Sequence, residues 1–350
     1  MKNTFVLFAL LFALNIAADP VITSISPAEG PVAGGTIVTI HGSGFNNTCI
    51  ICSPPFADPI VHFGSTQSPS VHVIDANTIT ALTPAHLPTT VTVRVRQLDG
   101  SLNEGRLENA FTFTGDPESA FEPVLFPIFQ PPVDGAFGSR FETIARVGST
   151  GALNGAPALY GVDTQCYLFS PSTFPFDPFG IGNDSVLLTG CSHSVGRVFW
   201  IKSGTRLGAS LRVRDTTRQA SSHGVEVPVV KRSDFTNDSL VLLGVPADPR
   251  FRKRLRVYSL PMREGFVNVD INGVGVGQVF FTPSTSLFEP SYGEFTDFPA
   301  SLPADSFMRV RLFMGRLPDG TIPPNTPPFW GLISVTNNDT QEITVISPQP

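Results

Sequence analysis

From Val21 onward, short runs of β-branched and aromatic residues alternate with glycine- and proline-rich breaks, a rhythm that predicts strands throughout. Thr36 to His41 is β-branched, with Gly34 and Gly35 before it and Gly42 and Gly44 after it. It therefore predicts a strand between two glycine corners, the second turning Phe45 back into a core. Strands are also predicted at Ile60 to Phe63, Val71 to Ile74, Thr78 to Leu82, Val91 to Arg96 and Ala110 to Thr114, each bounded by turn residues. Phe121 to Pro132 is rich in Phe and Pro and is expected to be an interdomain strand and linker. Beyond it, short apolar runs continue from Phe141 to Val147 as far as Glu342 to Ile346, none with a 3.6-residue period of helix length.

The fold class expected is all-β: an Ig-like sandwich followed by one or two further β-sandwich domains. A length of 350 residues is too great for a single sandwich of roughly 100 residues. A weak echo between Ser139-Arg140-Phe141-Glu142-Thr143 and Pro249-Arg250-Phe251-Arg252-Lys253 predicts two related sandwiches. The boundaries expected are a signal peptide over 1–18, the Ig-like domain over 19–116, and sandwiches over 117–245 and 246–350. The signal rests on Lys2, the apolar run from Phe5 to Ile16, which is too short to span a bilayer, and Ala17-Ala18 before Asp19. The mature chain has no second apolar stretch of membrane-spanning length, so a secreted or cell-surface protein is expected.

The spacing Pro27-x-x-Gly30-Pro31-x-x-Gly34-Gly35-Thr36-x-Val38-Thr39-Ile40-x-Gly42-x-Gly44-Phe45 resembles the opening of an IPT/TIG domain. Val61-x-Phe63-Gly64, Ile79-x-x-x-Thr83-Pro84 and Asn109-Ala110-Phe111-Thr112-Phe113 are similar to later landmarks of that family. The segment from Cys49 to Pro59 departs from the minimal pattern as an insertion. The family occurs in cell-surface receptors such as plexins, in Rel-type transcription factors, in carbohydrate-active enzymes and in bacterial surface proteins. The resemblance implies an Ig-like fold and an accessory or binding role without chemistry of its own, here in a secreted protein of bacterial type. It covers under a third of the chain, and the remainder carries no family pattern.

Charge narrows the partners. The formal net charge is −6, and loss of Lys2 with the signal makes it more negative, so nucleic acid is not an expected ligand. The four cysteines, Cys49, Cys52, Cys166 and Cys191, are an even count in an exported chain, which favours disulfides. Cys49-Ile-Ile-Cys52 is also the spacing of a redox pair or half a zinc site. However, Ser53-Pro54-Pro55 follows it rather than a helix, and no second ligand pair is evident. No metal or cofactor is expected.

Arg250, Arg252, Arg254 and Arg256 alternate with Phe251, Leu255 and Val257, interrupted by Lys253. On a strand this places four cations on one face over about 20 Å, a candidate face for an anion or partner. Lys253 is expected near a sheet edge. The strand containing Asn268, Asp270 and Asn272 is the expected neighbour, with Asp270 and Asn268 as bridging partners. Against a groove stands an ordinary solvated sheet face, since Arg94-Val95-Arg96, Arg212-Val213-Arg214 and Arg309-Val310-Arg311 repeat the pattern. Trp200 and Trp330 are the candidate aromatic contacts, although 29 Phe against 4 Tyr and 2 Trp is a composition of cores rather than of sugar platforms.

His41-Gly42-Ser43-Gly44 lacks a nucleophile elbow and is explained by its glycine corner. His62 and His72 sit beside valines, as structural histidines do. Glu264, Asp270, Glu289, Glu294 and Asp297 supply carboxylates without a recognisable catalytic frame. The function expected is therefore non-enzymatic: adhesion or ligand binding through Ig-like modules, with an extracellular protein or glycan as partner. The alternatives are a carbohydrate-binding or accessory subunit of a secreted carbohydrate-active enzyme, and a hydrolase with an unrecognised carboxylate pair. Non-reducing peptide mapping of secreted protein should return Asp19 as the N-terminal residue, with Cys49 joined to Cys52 and Cys166 to Cys191. A peptide joining Cys52 to Cys166 or Cys191 refutes the pairing.

Overall fold

A computed structural model describes residues 19–46, 58–98, 104–149, 159–160, 186–189, 195–204, 207–218, 223–299, 302–303, 305–317, 319–323 and 326–348. The expected signal peptide and Cys49, Cys52, Cys166 and Cys191 lie outside the described residues. The chain divides into two units, residues 1–119 and 120–350. The described secondary structure is β strand with a few short 3-10 turns, so the fold is all-β. Among the described residues no helix is long and apolar enough to cross a membrane.

The first unit holds β1 (Val21–Ser26), β2 (Glu29–Pro31), β3 (Ile37–Ser43), β4 (Ile60–Phe63), β5 (Thr66–Gln67), β6 (Val71–Asp75), β7 (Thr78–Leu82), β8 (Thr89–Arg96) and β9 (Glu104–Thr114). They form two sheets, β1-β3-β7-β6 and β2-β9-β8-β4-β5. Burial alternates along β7 and β8, as period-two patterning requires when one face meets a core. Phe63, Phe111 and Phe113 are fully buried there, with edge-on ring centroids 4.9–6.3 Å apart. The glycine corners have two physical causes. Gly34 takes φ of 74°, a left-handed conformation that a side chain resists. At Gly42 a Cβ would sit 1.8 Å from the Val21 carbonyl oxygen, so β1 approaches β3 only because no side chain is present.

The second unit begins with β10 (Phe121–Pro127), β11 (Val133–Asp134), β12 (Arg140–Ser149), β13 (Leu159–Tyr160), β14 (Val186–Thr189), β15 (Gly196–Lys202), β16 (Leu207–Asp215), β17 (Val225–Val227) and β18 (Val230–Lys231). It continues with β19 (Ser239–Pro246), β20 (Phe251–Ser259), β21 (Gly265–Ile271), β22 (Val274–Phe281), β23 (Ser291–Phe295), β24 (Phe307–Phe313), β25 (Phe329–Asn337) and β26 (Ile343–Ile346). The first group forms sheets β13-β15-β10-β18 and β11-β12-β16-β17, with β14 also on β12. The second forms β19-β24-β21-β22 and β23-β20-β25-β26.

Two sequence expectations change here. The strand expected within Phe121 to Pro132 is present over Phe121–Pro127, but it is an interior strand between β15 and β18 rather than part of a linker, with Val124, Leu125 and Phe126 all buried. A continuous apolar run is what a strand covered on both faces requires. The division expected at residue 246 also moves, because β19 ends there and pairs with β24 of the last sandwich. The sheets separate between β18 and β19 instead.

The two groups repeat one pattern of pairing. β10 pairs with β15 as β19 pairs with β24, and β12 pairs with β16 as β20 pairs with β25. β16 continues to β17 as β25 continues to β26, while β14 and β23 flank β12 and β20. The echoed residues Phe141 and Phe251 occupy matching steps, opposite Asp215 and Asn337. Each of those partners turns the chain by the same device. Asp215 Oδ1 accepts the Thr217 backbone N–H at 2.9 Å, and Asn337 Oδ1 accepts that of Asp339 at 2.8 Å.

The two sandwiches of this unit meet at Tyr258, which is fully buried. Its hydroxyl accepts the Ile128 backbone N–H at 3.2 Å and donates to the Val195 carbonyl at 2.9 Å. Burial pushes the phenol above its ordinary pKa, so it stays protonated and able to donate. Nearby, the Val198 N–H donates to Phe288 O at 2.9 Å, and Trp200 Nε1 donates to Leu287 O at 2.8 Å. Tyr258→Phe should lower the stability of the second unit by about 1–3 kcal/mol in denaturant unfolding, because it leaves a buried N–H and C=O unpaired. An unchanged midpoint would show that the seam does not depend on the phenol.

Candidate functional site

Strand β20 carries the cationic pattern. It lies between β23 and β25, so its backbone is paired on both sides and Lys253 is not at an edge. Lys253 Nζ instead donates to the carbonyls of Asp248 and Phe251, at 3.1 and 3.0 Å. Leu255 and Val257 are buried in the core with Phe251 packed against it, leaving Arg252, Arg254 and Arg256 to the opposite face.

The four arginines do not form a uniform row. Arg250 precedes the strand and binds Asp248 through Nε and Nη2, at 2.8 and 2.6 Å, with its side chain 70% exposed. This hydrogen bonding holds the Asp248 carboxyl below the usual range. Arg252 Nη2 donates to Gln341 Oε1 at 2.8 Å, and its guanidinium lies 5.7 Å from the Phe137 ring centroid. Arg254 stands 3.7 Å from Glu294. Arg256 is buried and donates to Glu294 Oε1 at 3.1 Å and to Ser334 Oγ at 2.8 Å.

The expected partners Asp270 and Asn268 are elsewhere. β21 lies in the other sheet of the sandwich, with Asp270 opposite Arg311 and its Oδ1 accepting the Gly273 N–H at 2.7 Å. Asn268 donates to Phe313 O and accepts from Gln278. The strand nearest in sequence was the wrong neighbour, because β20 pairs within its own sheet with β23 and with β25, the latter seventy or more residues away. Trp200 and Trp330 are likewise not surface contacts. Both are buried: Trp200 belongs to the seam, and Trp330 stacks at a tilt beside Tyr258 with centroids 6.4 Å apart.

The arginine face opens onto a cleft of about 690 Å³. One wall presents Arg252, Arg254, Arg256, Ser334 and Thr336; the other presents Ile128, Val133, Phe141, Thr143 and Val213 from the first sandwich of the unit. A cleft of this size is in the range of small-molecule sites. Sequence reasoning named Glu294 only as a carboxylate without a frame, not as the partner of Arg254 and Arg256, and missed Gln341 and Thr336, which bind or flank the arginines. The signal for Glu294 was the alternation along Ser291–Phe295, whose odd-numbered residues are buried.

Elsewhere charge is locally matched: Arg212 with Glu226 at 3.2 Å, Arg214 with Glu142 at 3.0 Å, and Arg94 with Glu104 at 3.8 Å. His62 is half-buried with its pKa lowered by burial and by Arg94 and Arg96, and His72 is exposed. Among the described residues no three His, Cys, Asp or Glu side chains are grouped to hold a metal ion.

Glu294→Gln should destabilise the protein by about 1.5–3 kcal/mol in chemical unfolding, since Arg256 would remain buried without its carboxylate. Arg212→Gln, at a pair with Glu226 that is exposed on both sides, should leave the midpoint essentially unchanged. Equal effects of the two would show that Arg256 does not need Glu294.

Three solved structures show how far likeness to known proteins extends. The chain is similar to the plexin A4 full extracellular region with domains 1 to 8, at 16% identity over 63% of this chain and 19% of that one, with a TM-score of 0.24. A second structure of that region, domains 1 to 10, is 13% identical over 97% of this chain and 30% of that one, also at a TM-score of 0.24. A structural genomics protein of unknown function from Bacteroides thetaiotaomicron VPI-5482 is 13% identical over 94% of this chain and 72% of that one, with a TM-score of 0.24. The chain thus spans well under two thirds of either plexin chain. No curated protein matches it. The family model described as IPT/TIG domain matches residues 20–114, the nine strands of the first unit and their glycine corners, and these residues are an IPT/TIG domain.

Proposed function

We propose that this is a secreted or cell-surface protein that binds an extracellular protein or glycan through tandem β-sandwich modules and carries out no catalysis. The observation that supports this best is the architecture: an IPT/TIG domain at residues 20–114, followed by two sandwiches with one pattern of strand pairing. Such domains present rigid sheets whose faces and loops are free for partners. The charged groups of the last sandwich fit the same role. Asp270 holds a turn, and Glu294 is committed to Arg256 and Arg254.

The test uses the full secreted chain on an array of extracellular proteins and glycans, together with an activity screen against polysaccharides and peptides. Saturable capture without turnover is the expected outcome. Turnover of any substrate that is lost on replacing a single carboxylate would overturn the non-catalytic proposal. Capture confined to neutral polysaccharides would favour the accessory role beside a carbohydrate-active enzyme.

A further inference from the structure

We infer that the cleft between the two sandwiches of residues 120–350 binds a small organic anion, a carboxylate carried on an apolar body, with Arg252 and Arg254 as its charge partners. This rests on the binding role proposed above and names the chemistry of one of its sites.

The first argument is charge. Arg252, Lys253, Arg254 and Arg256 all line the cleft, and Asp134 is the one carboxylate among its lining residues. Asp134 is already engaged by Arg140 at 2.8 Å. Glu294 serves both Arg254 and Arg256, so one negative charge faces two positive ones. Among the described residues no carboxylate comes within ion-pair distance of Arg252 or Lys253, whose hydrogen-bond partners are an amide oxygen and two carbonyls. Burial lowers the Lys253 pKa, and the charge of Asp248 offsets this only in part. A partly buried guanidinium such as Arg252, without a carboxylate partner, is costly, and an anion entering the cleft removes that cost.

The second argument is shape and polarity. Arg250 is turned away to Asp248 and Arg256 is buried, so a continuous four-arginine track for a long polyanion does not exist. What remains is a pair of guanidinium groups, each suited to a planar carboxylate by its fork of N–H donors. Facing them are Ile128, Val133, Phe141 and Val213, an apolar wall that a sulfate or a bare phosphate would leave unfilled. A volume of about 690 Å³ suits a ligand of small-molecule size.

The third argument is internal to the fold. At the step of the first sandwich that matches Arg252, the chain has Glu142, and the residue opposite it, Arg214, binds it at 3.0 Å. In the second sandwich Arg252 is opposite Thr336. The same scaffold neutralises this position in one copy and leaves it positive in the other, where the cleft opens.

The experiment titrates the full secreted chain with 3-phenylpropionate and, in parallel, with its neutral amide, using calorimetry and ligand-observed NMR. The acid should bind at least tenfold more tightly than the amide and weaken with added salt. Arg252→Gln should raise its dissociation constant at least tenfold, and Arg254→Gln should do so independently, which keeps the test open if one variant unfolds. Arg250→Gln, outside the cleft, should leave binding unchanged. Equal binding of acid and amide, no binding of either, or indifference to both cleft variants would overturn the site. Heparin retention that falls with the same two variants while the small acid fails to bind would assign the face to a polyanion instead. Undiminished array capture by a protein that ignores the acid would overturn this site alone and leave the broader binding role standing.

Discussion

The arrangement of residues 120–350 depends on one buried phenol. Tyr258 belongs to an interior strand of the second sandwich, yet its hydroxyl completes two backbone groups of the first, at Ile128 and Val195. A hydroxyl both donates and accepts, so one side chain satisfies an N–H and a C=O that the seam would otherwise strand. Burial makes this exchange strong and its loss expensive. The neighbouring bonds from Val198 and Trp200 to the segment before β23 continue the same join. Ile128, held by the phenol, is also part of the apolar wall of the cleft. The position of that wall against the arginines is therefore a consequence of the seam.

What was legible in the sequence was what depends on nearby residues. The corners at Gly34 and Gly42 are fixed by a positive φ and by contact with the adjacent β1, both of which leave glycine as a local mark. The alternation of Arg252, Arg254 and Arg256 against Leu255 and Val257 follows from the period of a single strand, and the core contains the latter pair. What depends on pairing was not legible. Asp270 is closer to Arg254 in sequence than Ser334 is, yet Ser334 is the cross-strand neighbour. A sandwich joins strands across long loops, and no property of either strand announces its partner. The strand in Phe121–Pro127 was legible but its place was not, for a related reason: Pro123 and Pro127 are linker residues by composition, but the apolar run between them is covered on both faces. Trp200 and Trp330 could not be placed from sequence because an indole serves equally on a surface or, with its N–H satisfied, in a seam.

The repeated pairing pattern makes the charge distribution interpretable. Two copies of one scaffold in the same unit share solvent, salt and architecture, so a difference between matched positions cannot be attributed to the fold. In the first copy Arg140, Arg212 and Arg214 each have a carboxylate of their own: Asp134, Glu226 and Glu142. In the second copy Arg254 and Arg256 share Glu294, and Arg252 rests on the amide of Gln341 and the face of Phe137. Neutral partners satisfy the hydrogen-bonding geometry of a guanidinium without cancelling its charge. Such an arrangement holds the side chain in place while leaving its field directed into the cleft. That combination, fixed geometry with unspent charge, makes Arg252 the preorganised element of the anion site, whereas the exposed Arg254 beside the shared Glu294 must still be ordered when a partner arrives.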